Sequence, residues 1–105
     1  MQTQSAINRY FQLAPLSDTD AYFAQFDANA TVEDEGQEHH GVEAIRAWRR
    51  EVPAVSYELR DIRSDDGRQV ARASIAGDFP GSPVELDFHF TFTDDGLIES
   101  LRIRT

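Results

Sequence analysis

The second half of the chain alternates regularly between apolar and polar residues. From Val84 to Phe92 every second side chain is apolar, which is typical of a strand with one buried face. Three further stretches place apolar residues on one face in a similar way: 55–60, 71–79 and 97–103. Turn-forming clusters separate the four stretches: 64–67, 80–83 and 93–96. The pattern therefore predicts four antiparallel strands joined by hairpins.

The first half of the chain carries apolar residues at helical spacing instead. A first helix, predicted over 2–14 and ended by Pro15, has four apolar residues on one face: Ile7, Tyr10, Phe11 and Ala14. A third helix, predicted from Val42 to a stop at Pro53, has four apolar residues on its inner face: Val42, Ile45, Trp48 and Val52. Three arginines are expected on its outer face: Arg46, Arg49 and Arg50.

A shorter second helix and a hairpin are predicted between these two helices. Ser17 can cap the second helix, Tyr22 and Phe26 are spaced to contact each other along it, and it is expected to end near 27–29. Two short strands then follow, joined by a turn at Gly36: 31–35 and 38–40. The order of elements predicts an α+β domain spanning 1–105, in which helices cover the apolar face of the sheet and leave a cavity for a small apolar ligand.

Composition and charge narrow the classes of partner. The chain has ten arginines, 19 acidic residues and a net charge of −9, which would repel a phosphate backbone, so nucleic acid is not an expected partner. The sequence contains no run of 18 apolar residues, so no membrane span is expected. No signal-peptide pattern opens the chain, and a cytoplasmic location is the expectation. The absence of cysteine excludes thiol chemistry and disulfides.

Three stretches of the sequence carry a family resemblance: 8–11, 26–34 and 41–48. They are similar to motifs of the NTF2-like superfamily, and within it of the SnoaL-like and ketosteroid-isomerase-like branch. With the order of elements, the resemblance spans essentially the whole chain. It implies a cone-shaped fold, in which three N-terminal helices pack in a curved antiparallel sheet and enclose a pocket. Because this scaffold carries isomerases, dehydratases, cyclases, epoxide hydrolases and binding proteins, the resemblance implies no single reaction.

The resemblance also implies roles for two residues. Asp34 matches the general base of the ketosteroid isomerases, and Tyr10 matches the tyrosine that donates a hydrogen bond to the developing enolate. The third residue of that family is a protonated carboxylic acid on a long strand. Phe88 stands at its position here, while Asp87 is expected on the opposite face of the strand. The proline that follows the base in the family is replaced by Glu35.

The residue pattern independently favours Asp34, because it shares a face with the apolar Val32 and so points towards the core. The alternative is a hydrated or arginine-paired carboxylate at the mouth of the sheet. Tyr10 could equally be a core aromatic, and Trp48 is expected as a wall of the cavity. Three further residues are candidate lining residues: Phe88, Phe26 and His40. His39 and His40 must face opposite ways on a strand, so only one of them can rim the cavity.

No pattern of metal ligands or cofactor binding accompanies these candidates. The sequence therefore favours a protein that binds a small hydrophobic molecule without a metal or cofactor. An aspartate-based isomerase, dehydratase or cyclase is one hypothesis, and a non-catalytic binding protein or dimeric interaction module is the other. A homodimer is expected through the outer face of the long strands, which the helices cannot cover.

Overall fold

A computed structural model describes residues 3–16, 20–52, 55–65 and 67–104. Its helices are α1 (Thr3–Leu13), a short 3-10 helix (Ala14–Leu16), α2 (Asp20–Phe23) and α3 (Val42–Glu51). Its strands are β1 (Phe26–Asp34), β2 (Gln37–His40), β3 (Val55–Asp65), β4 (Arg68–Gly77), β5 (Val84–Phe92) and β6 (Ile98–Arg104). None of the helices in this part of the chain is long and apolar enough to cross a membrane.

The six strands form one sheet in the order β2-β1-β6-β5-β4-β3. Strands β3 to β6 are consecutive antiparallel neighbours, which confirms the predicted hairpins. The β1–β6 pair is parallel, and it brings the first and last strands of the chain together in the middle of the sheet. The order places β1 and β3 on opposite sides of the sheet, with three strands between them.

Helix α1 buries the face that its spacing predicts. Ile7, Tyr10 and Phe11 are buried against the sheet, where the Tyr10 ring lies 5.4 Å from that of Phe90 and the Phe11 ring lies 5.0 Å from that of Phe88. Such edge-to-face contacts add to the free energy gained by burying the rings. The α-helix ends before Pro15, and a 3-10 turn over Ala14–Leu16 follows it.

The second helix is shorter than the sequence pattern predicts. Helix α2 ends at Phe23, and Phe26 begins strand β1 instead of continuing the helix. Phe26 lies opposite Ile98 in the parallel β1–β6 pair, so long-range strand pairing overrides the local helical spacing. The predicted cap, Ser17, lies outside the described residues.

The β1–β2 hairpin turns through two residues. Asp34 pairs with Gln37, which leaves Glu35 and Gly36 as the turn. Both have positive φ angles, 54° and 78°, as a type I′ turn requires. Proline has a fixed negative φ and cannot occupy the first of these positions. The presence of glutamate where the resembling family has proline therefore agrees with this tight turn.

Candidate functional site

A cavity of about 520 Å³ lies between the helices and the concave side of the sheet. Much of its wall is apolar and comes from α3, β3, β4, β5 and the loops beside them: Val52, Val55, Ile75, Phe79, Val84 and Leu86. Polar and charged side chains also line the cavity: Tyr10, Glu33, Asp34, Glu35, Trp48, Arg49, Tyr57 and Arg104. An apolar enclosure with a few polar groups is the usual form of a small-molecule site.

Asp34 reaches this wall from the last position of β1. Side chains alternate along a strand, so Asp34 lies on the same side as the fully buried Val32. The Asp34 carboxylate is half-buried, and its Oδ2 accepts a hydrogen bond from the indole Nε1 of Trp48 at 3.1 Å. Among the described residues no arginine pairs with Asp34. The arrangement leaves the second carboxylate oxygen available to a molecule in the cavity.

Tyr10 presents its ring and hydroxyl from α1. Its hydroxyl lies 2.9 Å from that of Tyr22, and both side chains are buried. Burial is the largest cause that raises the pKa of Tyr10 and of Tyr22 well above the usual value for a phenol. Tyr10 is therefore a neutral phenol near neutral pH. Of the two hydroxyl-bearing rings, Tyr10 is the one that lines the cavity.

Phe88 lies in the cavity wall, where the resembling isomerases have their third polar residue. The Phe88 side chain is 2% exposed, and its ring lies 6.2 Å from that of Tyr10. The neighbouring Asp87 is on the outer face, where Oδ1 accepts a hydrogen bond from Nη1 of Arg72 at 2.9 Å. A one-residue shift in register would be required to exchange them, and it would turn the apolar face of β5 outwards.

Two of the sequence-predicted lining residues lie elsewhere. Phe26 is buried in the core, with its ring 5.5 Å from that of Tyr22. His40 is exposed and its Nδ1 lies 3.0 Å from Oγ1 of Thr31, its partner across the hairpin.

Cross-strand partners share a face of the sheet, so His40 points outwards with Thr31. His39 is opposite Val32 and lies on the inner side, with its ring 6.1 Å from that of Trp48. Neither histidine is among the residues that line the cavity.

Arg49 contradicts the prediction of an outward-facing arginine, because its side chain is only 4% exposed. Its guanidinium carbon lies 4.4 Å from the ring centre of Tyr22. Nη2 donates to the carbonyl oxygen of Ala14, and Nη1 donates to the hydroxyl of Tyr57 at 3.3 Å. The helical spacing predicts this burial, because residue 49 follows Ile45 by four positions and so lies on the buried side of the helix. The charge of Arg49 favours an exposed position instead.

Tyr57 is another polar cavity residue that the sequence pattern did not single out for function. It alternates inwards from β3, is half-buried, and contacts the ring of Phe11 at 6.1 Å. The alternation of β3 predicts its direction but not its hydrogen bond with Arg49. In the described part of the chain, no three metal-binding side chains converge.

Residues 7–101 match the family model of the SnoaL-like domain. The chain therefore belongs to the SnoaL-like family, and its fold is that of the NTF2-like proteins, an α+β arrangement with a curved sheet. No curated protein sequence matches the chain closely enough to count as a relative.

Solved structures agree with this family. A Sinorhizobium meliloti protein with the provisional name polyketide cyclase is 36% identical to this chain. The match covers 99% of this chain and 100% of that protein, with a TM-score of 0.86. SalBIII, an epoxide hydrolase/cyclase-like enzyme of pyran ring formation in salinomycin, is 23% identical over 98% of this chain and 89% of its own, with a TM-score of 0.75. An NTF2-like Exiguobacterium protein of unknown function is 23% identical over 94% of this chain and 96% of its own, with a TM-score of 0.80.

Proposed function

We propose that the protein binds a small, largely apolar molecule in the cavity and that Asp34 moves a proton on it. The observation that carries this proposal is a half-buried carboxylate in a mainly apolar wall, with one oxygen fixed by Trp48. A carboxylate base held in a mainly apolar wall is suited to proton transfer from carbon. The similarity to a protein provisionally named a polyketide cyclase supports the same class of chemistry.

The proposed step needs no cofactor. Asp34 takes a proton from the carbon beside a carbonyl group. The electron pair of that C–H bond forms a carbon–carbon double bond, and the π pair of the carbonyl group moves onto its oxygen. The hydroxyl of Tyr10 donates a hydrogen bond to the resulting enolate. The protonated Asp34 then returns its proton in one of three ways. Return to a different carbon of the conjugated system gives isomerisation, and return to a hydroxyl oxygen whose C–O bond breaks releases water and gives dehydration. In a cyclisation, the enolate carbon attacks a second carbonyl carbon, the π pair of that carbonyl moves onto its oxygen, and this oxygen takes the proton from Asp34.

Binding without turnover is the second candidate function, and Phe88 favours it. Where the resembling isomerases have a second hydrogen-bond donor to the oxyanion, this chain has the hydrocarbon ring of Phe88. Removing one such donor lowers the kcat of other enzymes roughly 10²- to 10³-fold. The loss bears most heavily on ketone isomerisation. Dehydration and cyclisation of a stabilised carbanion depend less on a second donor.

Deuterium exchange separates the two functions without requiring the natural substrate. Benzylacetone, a small aromatic methyl ketone, would be incubated with the protein in D₂O, and loss of its α-proton signals would be followed by NMR. We expect the wild type to accelerate exchange and Asp34→Asn to abolish the acceleration. Glu38→Gln is the matched control, because it also removes one negative charge but from an exposed position on β2. Binding of benzylacetone without accelerated exchange would support the non-catalytic function.

We further propose a homodimer formed through the outer face of the long strands. This face carries interleaved charges, with Arg72 bonded to Glu85 at 3.2 Å and to Asp87 at 2.9 Å. A surface with both signs of charge can face its own copy across a two-fold axis without net repulsion. Light scattering is expected to return twice the chain mass, and a value near the single-chain mass of 11.9 kDa would contradict the dimer.

A further inference from the structure

Arg49 is a buried cation whose partners are all uncharged. Its hydrogen bonds go to the Ala14 carbonyl and the Tyr57 hydroxyl, and its guanidinium lies against the Tyr22 ring. Within the described ranges it forms no ion pair, and its buried Nε has no hydrogen-bond partner. A buried charge is costly unless an opposite charge compensates it, and arginine stays protonated at any ordinary pH. An anion bound in the cavity near Arg49 would supply that opposite charge.

Tyr57 connects this cation to the cavity. Its hydroxyl oxygen accepts the hydrogen bond from Nη1 of Arg49, so its own O–H proton is directed elsewhere. None of the described residues accepts that proton, and Tyr57 lines the cavity. A hydroxyl whose oxygen is bonded to a cation is a stronger donor, because polarisation passes along the chain of hydrogen bonds. The free O–H is thus a donor suited to an anionic acceptor in the cavity.

The fold separates this donor from Asp34. Tyr57 is on β3 and Asp34 on β1, which are four strand spacings apart, or about 19 Å measured along the curved sheet. Helix α3 connects the two ends, because Trp48 bonds to Asp34 while the next residue, Arg49, bonds to Tyr57. A negative group at the Tyr57 end would therefore avoid the Asp34 carboxylate and gain the Arg49 charge.

We propose that Tyr57 and Arg49 form a carboxylate-binding subsite, so that the ligand is an apolar acid whose carboxylate binds at the β3 side of the cavity. Tyr57 donates a hydrogen bond to the carboxylate, and Arg49 supplies the compensating charge behind it. The proposal rests on the proposed function only in assuming that the same cavity receives the ligand. It extends that function by placing a charged group on the ligand, away from the carbon that Asp34 would deprotonate.

Two probes of matched shape test the subsite: phenylbutyrate and its neutral amide, phenylbutyramide. Binding can be followed through the fluorescence of Trp48, which is the single tryptophan of the chain and lies in the cavity wall. All titrations use one ionic strength, because the net charge of −9 disfavours any anion. We expect the wild type to bind phenylbutyrate about tenfold more tightly than the amide, a difference of about 1.4 kcal/mol, because a hydrogen bond to a charged acceptor is stronger than one to a neutral acceptor.

Variants identify the origin of that preference. Tyr57→Phe keeps the ring of a half-buried residue and removes only the hydroxyl. It is expected to lower the preference several-fold, because the carboxylate accepts a stronger hydrogen bond from that hydroxyl than the amide carbonyl does. Arg49→Met is expected to abolish the preference, whereas Arg49→Lys, which keeps the positive charge, should retain part of it. Circular dichroism establishes which arginine variants fold, and Tyr57→Phe decides the question if they do not.

The outcomes separate this subsite from the proposed function. Asp34→Asn should lose benzylacetone exchange yet keep the preference for phenylbutyrate. Equal binding of acid and amide by the wild type would overturn the subsite, and so would an undiminished preference in Tyr57→Phe. Binding of neither probe would also reject it, and a separate benzylacetone titration would then decide whether the apolar cavity is rejected with it.

Discussion

The indole of Trp48 donates a hydrogen bond from Nε1 to Oδ2 of Asp34 at 3.1 Å. This contact joins helix α3 to the end of strand β1 and fixes one oxygen of the carboxylate in the cavity wall. Trp48 is 8% exposed, and the centre of its ring lies 6.1 Å from the centre of the His39 ring. The tryptophan is therefore held by packing and can orient the aspartate.

Removing the indole N–H of Trp48 tests how much the orientation of the Asp34 carboxylate matters, because Asp34 itself stays in place. Trp48→Phe keeps an aromatic wall but removes the N–H, and we expect α-proton exchange of benzylacetone to slow several-fold while its binding changes little. A double-mutant cycle with Asp34→Ala, measured by denaturant unfolding, should give a coupling energy of about 1 to 2 kcal/mol. A coupling near zero would mean that the hydrogen bond does not hold the carboxylate.

The Tyr10–Tyr22 pair predicts a non-additive pair of mutations. Each hydroxyl is buried against the other at 2.9 Å, so Tyr10→Phe or Tyr22→Phe alone should lower the free energy of unfolding by about 1 to 2 kcal/mol. The double variant should lose less free energy of unfolding than the two single variants lose together, because it leaves no buried hydroxyl facing a hydrocarbon ring. Exchange should weaken mainly in Tyr10→Phe, without being abolished. Strict additivity in chemical denaturation would contradict the pairing.

The same two tyrosines predict a loss of stability in alkali. Burial raises the pKa of both phenols in the folded state above their unfolded value of about 10. A raised folded pKa favours the neutral form on folding, so this contribution is complete below pH of about 10 and is lost as pH rises through the folded values. The free energy of unfolding of the wild type should therefore fall above pH of about 10. The Tyr10→Phe, Tyr22→Phe double variant should show a shallower fall, and an equally steep one would reject the assignment.

Local periodicity was sufficient for much of the fold. The alternation from Val84 to Phe92 predicts β5 with both its ends, and the spacing of Ile7, Tyr10 and Phe11 predicts the buried face of α1. These patterns depend only on neighbours along the chain. The parallel pairing of β1 with β6 joins segments about 70 residues apart, and no local pattern encodes it. That pairing is what shortens α2 and starts β1 at Phe26.

Local patterns likewise predict some residues of the candidate site and miss others. Strand alternation places Asp34 and Phe88 on the inner face, and the structure has both in the cavity wall. The same alternation applied across the hairpin puts His40 outside, but its register depends on the Glu35–Gly36 turn. The charge of Arg49 favours an outward position, although its spacing matches the buried face of the helix. Arg49 donates hydrogen bonds to the Ala14 carbonyl and the Tyr57 hydroxyl, and Ala14 lies 35 positions away in the sequence, so no local pattern predicts that contact.

The turn after Asp34 offers a test of the hairpin that carries the candidate base. Glu35 has a φ of 54°, in the left-handed region that glutamate disfavours and asparagine tolerates, and Asn-Gly is the preferred pair for a type I′ turn. Glu35→Asn should therefore raise the free energy of unfolding by about 0.5 to 1 kcal/mol in a denaturant titration.

The matched control is Glu38→Asn, which removes the same charge from the extended strand β2, where asparagine is disfavoured. It should be neutral or destabilising. A similar gain in both variants would show that relief of negative charge, rather than turn geometry, stabilises the protein. A loss of stability in Glu35→Asn alone would contradict the left-handed conformation at this position, and with it the two-residue turn that sets the register of β2 against Asp34.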